Sequence, residues 1–239
     1  MKKVLIMIPS YKRAPVLEFT LKHLCLNIEH GKYDVEIVVG LNKASRVERD
    51  IVIEQRKLSE TRDLVINYIE FEHNVGKAEC LNTIVGRHFR GHDFVLNIDN
   101  DMWIKEPWLD MLTYLESIDY DMVGFGSTHF WSHTPGIDAN YDELSKYRLY
   151  KRPHIAGGMS LYSPAFIETY KFFGHDRVYG GVDGHSCTQA VKKYVLYADT
   201  PWLEHDPLGG STEDLRHYAE RKSLLLSKQE IFFKEGWDE

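Results

Sequence analysis

Two aspartates separated by one residue, Asp99 and Asp101, follow directly after the apolar run 94–98. Where a strand ends, the chain leaves its regular pleat, so two carboxylates with this spacing can face the same small volume. Carboxylate oxygens are hard ligands that suit Mg²⁺ or Mn²⁺, above all when phosphate oxygens complete the coordination shell. A solvated acidic turn that caps the next helix is the alternative interpretation. The position after a strand favours the metal site.

Strand-like and helix-like patterns alternate over the first 100 residues, before and around this motif. Short apolar runs rich in β-branched residues predict strands, and apolar residues at helical spacing predict helices. The predicted strands cover 4–8, 35–41, 65–71 and 93–98, and the predicted helices cover 15–27, 45–62 and 76–89. This alternation predicts an α/β fold with a mostly parallel central sheet flanked by helices.

The pattern in the second half of the chain is less regular, but it again predicts both helices and strands. Its predicted helices cover 107–116, 164–173 and 184–194, its predicted strands cover 122–125, 155–162 and 195–198, and a charged helix is predicted within 214–228. The stretch 129–147 is aromatic and polar, which is typical of loops. Because no linker, repeat or low-complexity segment interrupts the chain, we expect a single domain over residues 1–239.

In parallel sheets, ligands bind beyond the carboxyl ends of the strands. That rule points to four short segments, 9–11, 41–42, 72–74 and 99–101. The aspartate pair lies in the last of them, and the other three supply an aromatic ring, amides and a histidine. The sequence therefore predicts a ligand site at this edge of the sheet.

Composition and charge restrict the class of protein. No apolar run approaches the ~20 residues that span a bilayer, and the run 4–8 after Lys2 and Lys3 is too short for a signal peptide. Three scattered cysteines fit neither a disulfide nor a zinc pattern, which favours a reducing cytoplasm. The net charge of -7 disfavours a protein whose main task is holding nucleic acid. We expect a cytoplasmic protein without stable membrane insertion.

Several motifs, taken in order, resemble those of family 2 glycosyltransferases, which have the GT-A fold. Asp99 and Asp101 are similar to the D-x-D metal motif of that family, and His205 lies where many members place a further metal ligand. The other matching segments are 6–13 (the opening strand and P-x-Y-N-R), 74–78 with Asn82 (N-x-G-x-x…N), 157–161 (the glycine-containing strand beside the acceptor) and 180–183 (G-x-E-D).

The resemblance implies a single GT-A-like domain of the nucleotide-diphospho-sugar transferase type. It implies a metal-dependent, inverting transfer of a hexosyl or pentosyl group from a nucleoside-diphosphate sugar such as a UDP-sugar. Residues 1–101 would form the donor-binding half, and residues 102–239 the acceptor-binding half with a C-terminal loop and helix. Mn²⁺ or Mg²⁺ would be held by Asp99, Asp101 and His205, with Glu204 and Asp206 as alternatives to the histidine.

The donor site implied by the resemblance combines the strand ends with the segment before the metal motif. Two departures from the family pattern affect it: Lys12 replaces the usual asparagine, and Gly40-Leu41-Asn42 replaces a usual acidic residue. The Asn42 amide can read a uracil edge, and Arg13 and Lys77 are either phosphate or ribose contacts or solvated charges. The expected donor-binding residues are Pro9, Tyr11, Arg13, Asn42, Asn74, Lys77, Asp99, Asn100 and Gly158.

Asp183 is the expected general base on the acceptor side. An inverting transfer needs a carboxylate there to remove the proton of the acceptor hydroxyl, and the glycines on both sides allow close approach of a ligand. A helix N-cap is the alternative role for Asp183. Because Val182 stands where the family usually has an acidic residue, Asp176 is the competing carboxylate.

Two other functions remain open at this point. A nucleotidyltransferase acting on sugar phosphates uses a similar sheet and metal, but such enzymes usually show an early glycine-rich phosphate loop, and residues 9–15 contain no glycine. A non-catalytic nucleotide- or carbohydrate-binding module is the third hypothesis. The acceptor is not identified by the sequence: a glycan precursor, a metabolite, a protein and a modified DNA base all remain, the last being the least favoured because of the acidic charge.

Overall fold

The computed structural model describes residues 1–29, 31–60, 64–105, 107–125, 137–140, 147–155, 158–170, 172, 182–198 and 203–205. The strands are β1 (Lys2–Ser10), β2 (Tyr33–Asn42), β3 (Val65–Phe71), β4 (Phe94–Ile98), β5 (Met102–Ile104), β6 (Met122–Phe125), β7 (Ile137–Asn140), β8 (Tyr147–Lys151), β9 (Met159–Tyr162), β10 (Lys193–Ala198) and β11 (Leu203–His205). The helices are α1 (Ala14–Leu26), α2 (Arg46–Ser59), α3 (Gly76–His88), α4 (Asp110–Leu115), α5 (Pro164–Thr169) and α6 (Val182–Gln189).

The central sheet has the strand order β3-β2-β1-β4-β9-β6-β10-β8-β7 within the described residues. Strands β1 to β4 are parallel, joined by helical crossovers, and β6 and β10 are parallel to each other. Strand β9 is inserted antiparallel between β4 and β6, and β8 is antiparallel to both of its neighbours. The predicted α/β fold with a mostly parallel central sheet is confirmed.

The first strand shows why the sheet is covered on both faces. Residues 4–8 are all fully buried. Val4, Ile6 and Ile8 pack into one core cluster with α1, α2 and α4, whereas Leu5 and Met7 pack into a second cluster with α3, α5 and α6. Because side chains alternate across a strand, a continuous apolar run is what a doubly covered parallel strand requires.

Several short strands are absent from the sequence prediction. Strands β5 and β11 pair antiparallel as a separate two-stranded sheet, β7 falls within the stretch predicted to be loop-rich, and β8 begins at its end. The predicted strand 155–162 is shorter than expected, since β9 begins at Met159, and its antiparallel direction was not foreseen. Strands of three or four residues carry too few positions for a period to be recognised.

The predicted helix within 214–228 lies outside the described residues. Within them, no helix is long and apolar enough to cross a membrane. The division of the chain at residue 101 into a donor half and an acceptor half stays a prediction.

A close contact fixes α3 against β2. A methyl group added at Gly40 would overlap the Sγ atom of Cys80 and would lie 3.4 Å from Cδ1 of Ile84. Cys80 is fully buried, and this burial raises the pKa of its thiol to about 12, although a hydrogen bond with Asn42 acts in the opposite direction. The thiol therefore stays protonated at neutral pH and acts as a packing group between helix and sheet.

This contact predicts the effect of filling the space at Gly40. Gly40→Ala should lower the free energy of unfolding by about 1–3 kcal/mol, because the new methyl group overpacks a rigid core. The measurement is urea unfolding followed by far-UV circular dichroism.

The control is the same substitution in a Cys80→Ala background, where the nearest remaining atom of residue 80 is its Cβ, at 3.8 Å from the added methyl. There Gly40→Ala should cost less than about 0.5 kcal/mol, since the overlapping atom has gone. An equal cost in both backgrounds would show that the overlap with Sγ is not the cause.

Candidate functional site

Three parallel strands end at the same edge of the sheet, and Ser10 ties their ends together. Ser10 closes β1 and is buried. Its carbonyl accepts a hydrogen bond of 3.4 Å from Nδ2 of Asn42, the last residue of β2, and its hydroxyl accepts one of 3.1 Å from Nδ2 of Asn100, which follows β4. We name the region around these strand ends and the residues bonded to them the strand-end site.

The aspartate pair lies in this site with two cations against it. Nζ of Lys77 is 2.6 Å from Oδ1 of Asp99, and a guanidinium nitrogen of Arg13 is 2.5 Å from Oδ2 of Asp101. Asn100, between the two aspartates, is buried, and its carbonyl accepts a hydrogen bond of 2.9 Å from Oγ1 of Thr20 on α1. The motif is thus anchored through its middle residue, and its two carboxylates face basic side chains from different elements.

The backbone of Arg13 is fixed by a carboxylate that the sequence analysis did not select. Glu48 is 1% exposed. Its Oε1 accepts the backbone N–H of Arg13 at 3.4 Å, and its Oε2 accepts the backbone N–H of Ser45 at 2.9 Å and the Ser45 hydroxyl at 3.1 Å. Ser45 and Glu48 form a capping box at the start of α2, so this cap also holds the loop that carries Arg13.

Lys77 is placed by a second polar contact network. The side-chain carbonyl of Asn42 accepts the backbone N–H of Val75 at 3.2 Å, and that of Asn74 accepts the backbone N–H of Gly76 at 3.1 Å. Gly76 has φ +80°, a conformation that glycine adopts without strain. The chain therefore turns sharply into α3, whose second residue is Lys77.

These contacts give Asn42 a role that the sequence did not suggest. The residue is 3% exposed, and its amide bonds both to Ser10 and to Val75 within the protein. It joins the end of β1 to the start of α3. Its expected contact with a donor base stays a prediction.

Gly158 reaches the motif from the neighbouring antiparallel strand. Its carbonyl accepts the backbone N–H of Asp99 at 2.8 Å, directly before β9 begins. The expected glycine segment is therefore adjacent to the aspartate pair, and the close approach is a backbone contact. Gly157 lies outside the described residues.

The other two expected donor contacts, Pro9 and Tyr11, lie at the end of β1. Both are partly exposed, and Nζ of Lys12 lies 5.1 Å from the centre of the Tyr11 ring. Beside them a cleft of about 430 Å³ is lined by residues that include Lys12, Pro15, Lys43 and Ser45. The cleft opens between the ends of β1 and β2.

The expected third metal ligand and the expected base are described only through their backbones. His205 is the last residue of β11, and its Cα is paired with that of Met102, the residue after Asp101. Asp183 is the second residue of α6. Their side chains and the alternative carboxylates at Asp176 and Asp206 lie outside the described part of the structure, as does the side chain of Glu204.

The donor set at the strand-end site fits a hard divalent ion. Asp99 and Asp101 supply carboxylate oxygens, and the strand pairing places His205 opposite the residue that follows them. Among the side chains that the structure describes, no group of three or more His, Cys, Asp or Glu residues has the geometry to hold a metal. A complete site therefore needs a ligand beyond them, from His205 or from a bound diphosphate.

Two residues of the site were missed by sequence reasoning, for different reasons. The spacing Ser45-x-x-Glu48 is readable as a capping box, but nothing in the sequence shows that its carboxylate also reaches Arg13. Thr20 lies within a helix and gives no local signal of its bond to Asn100. Both contacts join residues that are far apart in the chain.

Comparison with known proteins identifies a family for this arrangement. The family described as Glycosyl transferase family 2 matches residues 5–178 of the chain. No curated protein sequence matches the chain.

Three solved structures share the fold. S. aureus TarS, residues 1–349, has a TM-score of 0.62 at 15% identity, covering 95% of this chain and 65% of that chain. The mannosyltransferase PcManGT from Pyrobaculum calidifontis, solved with GDP-Man and Mn²⁺, has a TM-score of 0.63 at 20% identity and covers 91% and 59%. GalNAc-T7, solved with UDP, GalNAc and Mn²⁺, has a TM-score of 0.63 at 12% identity and covers 86% and 44%. At these identities the similarity establishes the fold alone, and this chain spans less than two thirds of each solved chain.

The role of Glu48 in holding the loop is testable. Glu48→Gln replaces one accepting oxygen by a donating amide that faces N–H or O–H groups, so it should lower the free energy of unfolding by about 1–3 kcal/mol. Chemical denaturation measures this directly. Glu54→Gln, on the exposed side of the same helix, is the matched control and should change stability by less than about 0.5 kcal/mol. Equal stability of the two variants would contradict the assigned contacts.

Proposed function

This chain belongs to glycosyl transferase family 2, and we propose that it transfers a sugar from a nucleoside-diphosphate sugar to an acceptor hydroxyl with the help of a divalent metal. The observation that carries the proposal is the strand-end site, where Asp99 and Asp101 lie at the carboxyl edge of a parallel sheet with Lys77 and Arg13 against them. Carboxylates suit the metal and cations suit the phosphates, so this edge offers partners for both parts of a metal–diphosphate complex.

Asp99, Asp101 and His205 would hold the metal, which would act as a Lewis acid and neutralise the charge that accumulates on the departing nucleoside diphosphate. Two solved structures with the same fold contain Mn²⁺, which supports a divalent metal, and the proposed ion is Mn²⁺ or Mg²⁺. Asn100 and Gly158 hold the backbone of the motif, so the carboxylates keep their positions while the diphosphate binds. Pro9 and Tyr11, at the end of β1, are the proposed contacts of the donor nucleoside.

On the acceptor side, we assign the general base to Asp183. Asp183 is the second residue of α6. As base it accepts the proton of the acceptor hydroxyl while that oxygen attacks the anomeric carbon from the face opposite the diphosphate, which inverts the configuration. The cytoplasmic location stays a prediction from the sequence.

The reaction products distinguish a nucleotidyltransferase from a sugar transferase. The protein is incubated with Mn²⁺ and UDP- or GDP-sugars labelled in the sugar. Release or transfer of labelled sugar, with the nucleoside diphosphate left over, is the expected result. Formation of a nucleotide-sugar from a labelled sugar phosphate and a nucleoside triphosphate would identify the nucleotidyltransferase instead.

The first prediction from this function concerns the metal. Asp101→Asn should reduce turnover by about two orders of magnitude or more, because charge on the leaving group loses its neutralising partner. The assay measures nucleoside diphosphate release at saturating Mn²⁺. Asp119→Asn, an exposed carboxylate paired with Lys192, is the matched control and should retain the wild-type rate. Full wild-type activity in excess EDTA would contradict metal dependence.

The second prediction concerns Asp183. Asp183→Asn should lower the transfer rate by about 10²–10⁴-fold, since the acceptor loses its base, while donor affinity stays within a few-fold of wild type. Calorimetric titration with the nucleoside diphosphate and Mn²⁺ measures that affinity separately from the rate. Loss of nucleotide binding together with activity would place Asp183 with the metal and move the base to Asp176.

A further inference from the structure

Both carboxylates of the metal motif are ion-paired with cations of the protein itself. Lys77 lies 2.6 Å from Asp99, and Arg13 lies 2.5 Å from Asp101. We call Arg13 and Lys77 the counter-cations. They come from different elements, since Arg13 precedes α1 and Lys77 lies in the first turn of α3, so the arrangement is built by the fold and not by local sequence.

The two pairs are partly shielded from water. The exposed fractions of the side chains are 30% for Arg13, 12% for Asp101, 21% for Lys77 and 28% for Asp99. Pairs on an open surface contribute little because solvent screens them, whereas at these exposures the attraction is larger and a separated charge costs more. A cation displaced from its carboxylate therefore needs a new anionic partner nearby.

A divalent ion and a counter-cation compete for the same carboxylate oxygens. A metal held by Asp99 and Asp101 has to share or displace the contacts that Lys77 and Arg13 make with them. By itself the metal would leave two positive side chains beside a third positive charge. A diphosphate that arrives with the metal supplies anionic oxygens for both side chains, and charge-assisted hydrogen bonds to phosphate replace those to carboxylate.

We propose that Arg13 and Lys77 exchange their carboxylate partners for the donor diphosphate when metal binds, and that this exchange makes metal and nucleotide binding interdependent. The inference rests on the proposed function and deepens it, because it assigns the two cations a regulatory task in donor binding. In the free protein they occupy the carboxylates and weaken metal binding. In the complex they bind phosphate, so metal and diphosphate each raise the affinity for the other by the same factor.

The coupling factor is measured by binding alone. Free Mn²⁺ is followed by its electron paramagnetic resonance signal during titration of the protein, first without nucleotide and then with saturating UDP or GDP. The ratio of the two Mn²⁺ dissociation constants is the coupling factor. Circular dichroism checks that each variant is folded.

Removing a counter-cation should change the two titrations in opposite directions. In Arg13→Met and in Lys77→Met, Mn²⁺ alone should bind about fivefold more tightly, because a competing ion pair of roughly 1 kcal/mol has gone. With nucleotide, Mn²⁺ should bind about twofold more weakly than it does to wild type, because the diphosphate has lost one cationic partner, so the coupling factor should fall by about tenfold. Part of the coupling should survive, since the direct bond between metal and phosphate remains.

Two control variants distinguish the effect of the ion pairs on Mn²⁺ binding from the effect of positive charge near the site. Arg13→Lys keeps the charge and should keep most of the coupling. Lys12→Met removes a positive charge from the neighbouring residue while both ion pairs stay in place, and it should leave the Mn²⁺ affinity without nucleotide within about twofold.

The outcomes distinguish this inference from the proposed function. If wild-type protein binds neither Mn²⁺ nor UDP or GDP, the proposed function is wrong, and the inference is wrong with it. If wild type shows coupling and Arg13→Met and Lys77→Met show the same coupling, the exchange alone is wrong. If Lys12→Met raises the Mn²⁺ affinity as much as the other two variants do, the local positive charge and not the ion pairs causes the change, and the proposed exchange is wrong.

Discussion

Residues 4–8 of β1 are covered by helices on both faces, and this double coverage directs the chemistry of the protein to the end of the strand. A buried strand presents no side chain to a ligand along its length, so polar groups collect where it leaves the sheet. Parallel pairing brings the ends of β1, β2 and β4 to one edge. Ser10 then joins Asn42 and Asn100 across that edge, and the remaining contacts of the site are built outward from it.

Electrostatic balance is the second requirement. The carboxylates of Asp99 and Asp101 each have a cation against them, Lys77 for the first and Arg13 for the second. The same four groups suit a metal–diphosphate complex, so the arrangement that stabilises the free site also prepares it for the proposed donor.

The supports of the two cations differ in kind. Arg13 is held through its backbone by the buried carboxylate of Glu48, whereas Lys77 follows a turn whose N–H groups are bonded by Asn42 and Asn74. Each fixes the direction from which a flexible, charged side chain approaches the aspartates, which lowers the entropy lost when the complex forms.

The sequence by itself determined the α/β fold, the mostly parallel sheet and the edge on which Asp99 and Asp101 lie, because apolar period and strand–helix alternation are local properties. It also led to the family, since the ordered motifs are carried by the chain itself. Tertiary structure alone decided that β9 runs antiparallel beside β4, that Asn42 is buried between β1 and α3, and that Glu48 reaches Arg13. These features depend on contacts between residues more than 30 positions apart. Such contacts produce no periodic pattern and no motif spacing that can be recognised in the sequence.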